Sequence, residues 1–87
     1  MNKNILHIPS LVYFGNDWNV LQNFLKHRGN PPYHIDGDLN LNDTPIKSLG
    51  NLTSVGGSLY LERTPISKIM TEDKIRSQVN VEGYIYI

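Results

Sequence analysis

Two stretches of the chain, twenty residues apart, follow one pattern. In residues 35–49, Gly37, Leu39, Leu41, Thr44, Pro45 and Ile46 recur in residues 55–69 as Gly57, Leu59, Leu61, Thr64, Pro65 and Ile66. Ile35 and Leu49 return as the aliphatic residues Val55 and Ile69. A third copy opens at Val81-Glu82-Gly83-Tyr84-Ile85-Tyr86-Ile87, twenty-six residues after the second. A repeat of this period constrains the fold more than any other feature of the chain. Each unit must be one supersecondary element that buries its apolar side against the next copy.

The chemistry of one unit predicts its shape. Leu39 and Leu41, like Leu59 and Leu61, alternate with polar residues, which is the period of a half-buried strand. Gly37, Gly57 and Gly83 stand just before each strand, where the chain turns tightly. Pro45 and Pro65 end the pairing. Ile46, Leu49 and Leu52 then point back inward from an outer arc, as do Ile66 and Ile69. The six additional residues of the second unit fall within Met70–Val79. There Thr71 followed by Glu72 and Asp73 supplies a cap residue and two acids for a short helix, with Ile75 and Met70 turned inward.

The pattern Leu-x-Leu-x-x-Thr-x-Ile, at Leu39–Ile46 and Leu59–Ile66, resembles the leucine-rich repeat family. The fuller form Gly-x-Leu-x-Leu-x-x-Thr-Pro-Ile looks like a short-repeat subtype of bacterial and bacteriophage proteins. The chain departs from the family in carrying Thr44 and Thr64 where Asn or Cys is usual. A Thr hydroxyl still bonds turn backbone, though less fully than an Asn ladder. The resemblance covers residues 35–87. It implies an α+β fold: a short leucine-rich-repeat-like solenoid with a parallel concave sheet, and protein binding through that sheet.

Residues 1–34 lie outside the repeat and are predicted to form an N-terminal cap of one strand and one helix, joined to the coils of 35–87 in a single domain. Leu11-Val12-Tyr13-Phe14 reads as the strand. Gly15 breaks it, and Asn16 or Asp17 caps a helix whose inner face carries Trp18, Leu21 and Leu25. Lys26, His27 and Arg28 occupy its last turn, and Gly29 ends it. Trp18 is read as a core residue.

Composition narrows the function. Alanine is absent, which disfavours a helical bundle, and cysteine is absent, which removes disulfides and thiolate metal sites. The eight basic and eight acidic residues cancel, so no net charge attracts nucleic acid. The N-terminal segment lacks the unbroken apolar stretch of a signal peptide, and no window is long enough for a membrane span, so a cytoplasmic location is expected. His7, His27 and His34 have no metal-site spacing, and no metal or cofactor is expected. Asp36 and Asp38 are read as two carboxylates on one exposed face without a cleft. No catalytic constellation is present, and the chain is not expected to be an enzyme.

Residues flanking the strand leucines should face outward on the concave side. These are Asp38, Asn40 and Asn42 in the first coil, Ser58, Tyr60 and Glu62 in the second, and Tyr84 and Tyr86 in the third. In register, Asn40, Tyr60 and Tyr86 form one column, and Tyr84 lies beside Ser58. The expected partner-binding set is Asp38, Asn40, Asn42, Tyr60, Glu62, Tyr84 and Tyr86, since Tyr is favoured at binding hot spots. Asp36, Asp38, Asp43, Glu62 and Glu82 lie near the strands and Lys47, Lys68, Lys74 and Arg76 in the arcs, giving an acidic concave side suited to a basic partner. The resemblance to the phage-like repeat subtype, with the small size and the lack of catalytic groups, implies a phage-encoded inhibitor of a host protein, with defence nucleases, including anti-CRISPR targets, as the first class. Two alternatives differ in kind. One is a homodimer through the C-terminal strand Tyr84–Ile87. The other is nucleic-acid contact through Lys47, Lys68, Lys74 and Arg76.

Overall fold

The computed structural model describes residues 5–87; residues 1–4 of the expected cap lie outside the described residues. Seven short strands form two parallel sheets. Strands β1 (Leu6–Ile8), β2 (Tyr33–Ile35), β4 (Leu52–Val55) and β6 (Asn80–Val81) make a four-stranded sheet in that order. Strands β3 (Leu39–Asn40), β5 (Leu59–Tyr60) and β7 (Ile85–Tyr86) make the second. Helices α1 (Trp18–Lys26), α2 (Pro65–Ile69) and α3 (Glu72–Gln78) complete an α+β fold.

The sequence repeat becomes strand register. Leu39 pairs with Leu59 and Leu59 with Ile85. In the other sheet, Ile35 pairs with Val55 and Val55 with Val81. Thus each copy contributes one strand to each sheet, and a bend at Gly37, Gly57 or Gly83 separates the two. Gly56, Gly57 and Gly83 are required by crowding against the preceding copy, whereas Gly37 is not. A Cβ on Gly57 would lie 2.1 Å from Asp38 Oδ1 and 2.9 Å from Asp38 N, and one on Gly56 would lie 2.2 Å from the Asp36 carbonyl oxygen. The four-stranded sheet is the main addition to the sequence reading, which placed Leu52 in an arc rather than at the head of β4.

The core is one cluster of aliphatic side chains from every copy. Leu39, Leu41, Leu59, Leu61, Ile35, Val55 and Ile75 are all essentially inaccessible. Thr64 is the buried polar residue of the core; its hydroxyl donates to the Leu61 carbonyl at 2.6 Å and accepts the Ser67 N–H at 3.2 Å, capping α2. Thr44 makes the equivalent bond to Leu41 at 2.7 Å. The six additional residues do form a helix, α3, capped by Thr71. Ile69 is the exception among the arc residues. It is 71% exposed, because α2 is a single turn that sends Ile66 inward and leaves the next inward position to Met70.

The N-terminal segment corrects two expectations. Leu11–Phe14 is a 3-10 turn, not a strand: the Ser10 hydroxyl accepts the Val12 N–H, and Gly15 closes it in the left-handed region. The strand lies earlier, at β1, and pairs with β2. Because β2 runs across the 34/35 boundary, the segments 1–34 and 35–87 share a sheet. Helix α1 begins as expected, with Asp17 as its cap, but it ends at Lys26, so that His27 is its C-cap and Arg28 and Gly29 lie in the turn beyond it. Leu21 and Leu25 are buried, while Trp18 is half-buried against Tyr33, with ring centroids 6.5 Å apart. Among the described residues, no helix is long and apolar enough to cross a membrane.

Candidate functional site

The outer face of the three-stranded sheet carries the expected column. Asn40 pairs with Tyr60 and Tyr60 with Tyr86. The Tyr60 and Tyr86 rings stack with centroids 4.7 Å apart and planes 12° from parallel. Tyr84 leans on Tyr86 at 6.2 Å with a 52° tilt. Tyr84 is 71% exposed and Tyr86 is 40% exposed. Large aromatic surfaces are therefore presented to solvent on strands whose backbones are fixed by pairing. Tyr84 is also tied to the second copy, since its N–H donates to Ser58 Oγ at 3.1 Å and its carbonyl accepts from Leu59 N–H.

The polar members of the expected set have a different role. Asp38 Oδ1 accepts the Ser58 N–H at 2.7 Å. Asn42 Oδ1 accepts the Glu62 N–H at 2.7 Å, and Asn42 Nδ2 donates to Glu62 Oε1 at 3.4 Å. Asn40 Oδ1 accepts the Asn42 N–H. Asp38 and Asn42 stitch the first copy to the second beside the backbone ladder, whereas Asn40 bonds within its own copy. Of the seven residues expected to bind a partner, the three tyrosines pack their rings on one another rather than tying copies together through hydrogen bonds of their side chains.

The expected charge division is also narrower than the sequence implied. Arg63 donates to Asp43 through Nε and through one terminal guanidinium nitrogen, the latter at 2.9 Å. That hydrogen bond holds the Asp43 carboxyl below its ordinary range. Both residues occupy the left-handed region, with φ of 62° and 58°, at equivalent repeat positions. On the other side, Arg76 is not a free cation. Its guanidinium donates to the carbonyls of Val81 and Gly83 at 3.0 Å each and to Glu72 at 3.0 Å. It fastens α3 to the start of the third copy. The nucleic-acid reading thereby loses one of its four residues, leaving Lys47, Lys68 and Lys74 on the surface.

No family model, curated protein or solved structure matches this chain. The reading of the site therefore rests on geometry. A second cluster, which chain spacing concealed, lies on the four-stranded sheet. The β1–β2 register sets His7 against His34, and the β2–β4 register sets His34 against Ser54. Asp36 follows directly after β2 and reaches both imidazoles. Asp36 and Asp38 are thus not a carboxylate pair: the bend at Gly37 sends Asp36 to the histidines and Asp38 to Ser58. Their grouping could be found in the sequence only by extending the repeat to a strand before residue 10.

Tyr33 is a further residue the sequence reading passed over. It is fully buried, and its hydroxyl donates to the Leu49 carbonyl at 3.0 Å and accepts from Gln22 Nε2 at 3.2 Å. Burial pushes its phenol far above the ordinary value, with the Gln22 bond opposing. Tyr33 joins α1 to the first repeat. It is a structural tie, enclosed away from any partner.

Proposed function

We propose that this chain is a short leucine-rich-repeat-like solenoid that binds a protein partner through the tyrosines of its three-stranded sheet. One observation carries the reading: half-buried Tyr60 and the exposed Tyr84 and Tyr86 form a contiguous aromatic cluster on β5, β7 and the residue leading into β7. Tyrosine offers a large amphipathic contact area with few rotatable bonds, which lowers the entropic cost of binding. The hydroxyls at the ring edge supply directional bonds, so the surface suits a folded protein better than a lipid or a small apolar ligand. The twenty-residue register between copies supports the solenoid part of the reading. The partner class retained from the repeat resemblance is a bacterial host protein, with a defence nuclease as the first candidate. Cytoplasmic action belongs to the same proposal.

Recovery of proteins from bacterial host lysate on immobilised wild-type chain, against a Tyr60→Ala/Tyr86→Ala double variant with unchanged circular dichroism, tests this. The reading expects at least one protein that the wild type retains and the variant loses. Identical recoveries by the two chains would refute it.

A further inference from the structure

We propose that His7, His34 and Asp36 form a binding site for a divalent transition-metal ion of the zinc class. The inference is independent of the aromatic face and concerns the other sheet. Strand alternation turns Ile8, Tyr33 and Ile35 into the core and leaves His7 and His34 pointing outward. The parallel register then brings the two imidazoles side by side, with ring centroids 5.0 Å apart.

The donor geometry fits a small cation. His34 Nε2 lies 3.0 Å and His7 Nδ1 lies 3.4 Å from the same oxygen, Asp36 Oδ1. One ligand atom from each residue falls within 4.8 Å of the others. A tetrahedral ion with ligands at about 2.0–2.1 Å separates its donors by about 3.3–3.4 Å. The three residues therefore need only a small adjustment of side-chain torsions to share one ion.

Neighbouring groups hold the ligands in place. His34 Nδ1 is hydrogen-bonded to Ser54 Oγ. When that nitrogen donates its proton to the hydroxyl, Nε2 presents its lone pair toward the carboxylate. Such a bond fixes both tautomer and ring orientation in metal-binding histidines. Asp36 is anchored by its N–H, which donates to the Ile8 carbonyl at 2.8 Å, and by the close approach of Gly56 to its own carbonyl. All three ligands thus stand on one hydrogen-bonded pair of strands.

The donor set selects the metal. Two imidazoles and one carboxylate suit zinc, cobalt, nickel or copper, whereas magnesium and calcium favour all-oxygen shells. Three protein ligands leave a position for water. The side chains of His7, His34 and Asp36 are 68%, 21% and 51% exposed, so the ion would exchange with solvent.

The test is calorimetric titration of the chelator-treated full chain with zinc chloride at neutral pH, repeated with magnesium chloride. One saturable zinc site per chain and no magnesium binding are expected. His7→Ala, at an exposed position, should abolish saturable binding with unchanged circular dichroism. Ser54→Ala, which removes a positioning hydroxyl, should weaken binding roughly tenfold. His27→Ala, at the C-terminal end of α1 and outside the cluster, should bind like the wild type. Absence of saturable zinc binding would overturn the proposal. So would a His7→Ala variant that binds as the wild type does, which would leave the cluster a hydrogen-bonded group only.

Discussion

Tyr60 and Tyr86 stack at 4.7 Å because β5 and β7 pair with these two residues directly opposite each other. Parallel strands stand about 4.7–4.9 Å apart. The ring separation is therefore the strand separation carried outward to the side chains. A repeat that places Tyr at the same position in successive copies stacks the rings without any further device. Tyr86→Ala should cost about 0.5–1.5 kcal/mol in denaturant unfolding through loss of the stacked pair. Tyr84→Ala, at a more exposed ring, should stay within about 0.5 kcal/mol of wild type. Equal costs would mean that the stack contributes nothing beyond ordinary surface packing.

Two glycines at the same repeat position should respond oppositely to one methyl group. Gly57→Ala places a Cβ against Asp38 backbone nitrogen at 2.9 Å and Asp38 Oδ1 at 2.1 Å, and should destabilise by about 1–3 kcal/mol. A Cβ on Gly37 meets only the Pro9 carbonyl oxygen at 3.5 Å, an ordinary contact. Gly37→Ala should be neutral or stabilising by up to about 1 kcal/mol, since it restricts the unfolded chain. Thermal unfolding of the two variants side by side decides the matter.

The contrast between those glycines shows what the sequence could and could not convey. The repeat made the β3–β5–β7 sheet, the aromatic column and α3 legible, because identity at a fixed offset becomes strand register. The helix α1 was legible from Asp17 and the spacing of Trp18, Leu21 and Leu25. The four-stranded sheet was not. Its strand β1 carries His7 between two aliphatic residues in a segment outside the repeat, and β2 and β4 open at Tyr33 and Leu52, before the repeated pattern begins at Ile35 and Val55. Leu11–Phe14 misled because an apolar run of four fits a strand or a 3-10 turn equally, and the Ser10 cap decides between them. The roles of Asp38, Asn42 and Arg76 were hidden for a different reason. A polar residue beside a strand reads as exposed, and only the partner group at the next copy shows that it is engaged.

Tyr33 predicts an alkaline signature. Its folded-state phenol ionises well above its ordinary value of 10.0 because burial disfavours the anion. The native state therefore holds this proton more tightly than the unfolded chain. The resulting stability is complete below the ordinary value and falls as pH rises above it. Tyr33→Phe should remove that part of the alkaline loss. The same variant should cost about 0.5–1.5 kcal/mol at neutral pH, because the Leu49 carbonyl keeps the Leu52 N–H but loses the phenol, and Gln22 loses its acceptor. Chemical unfolding of both chains across pH 7 to 11, values chosen as lying about three units below and one above the ordinary tyrosine range, reads both effects.

Site-specific photocross-linking tests the aromatic-face account most directly. A photoreactive phenylalanine analogue at Tyr84, on the exposed edge of the cluster, is irradiated in bacterial host lysate beside the same analogue at Lys68 on α2. The account expects a protein adduct from position 84 that is absent from position 68, and loss of that adduct when Tyr60→Ala and Tyr86→Ala are added. Equal adducts from both positions, or an adduct at 84 that survives the two substitutions, would contradict it.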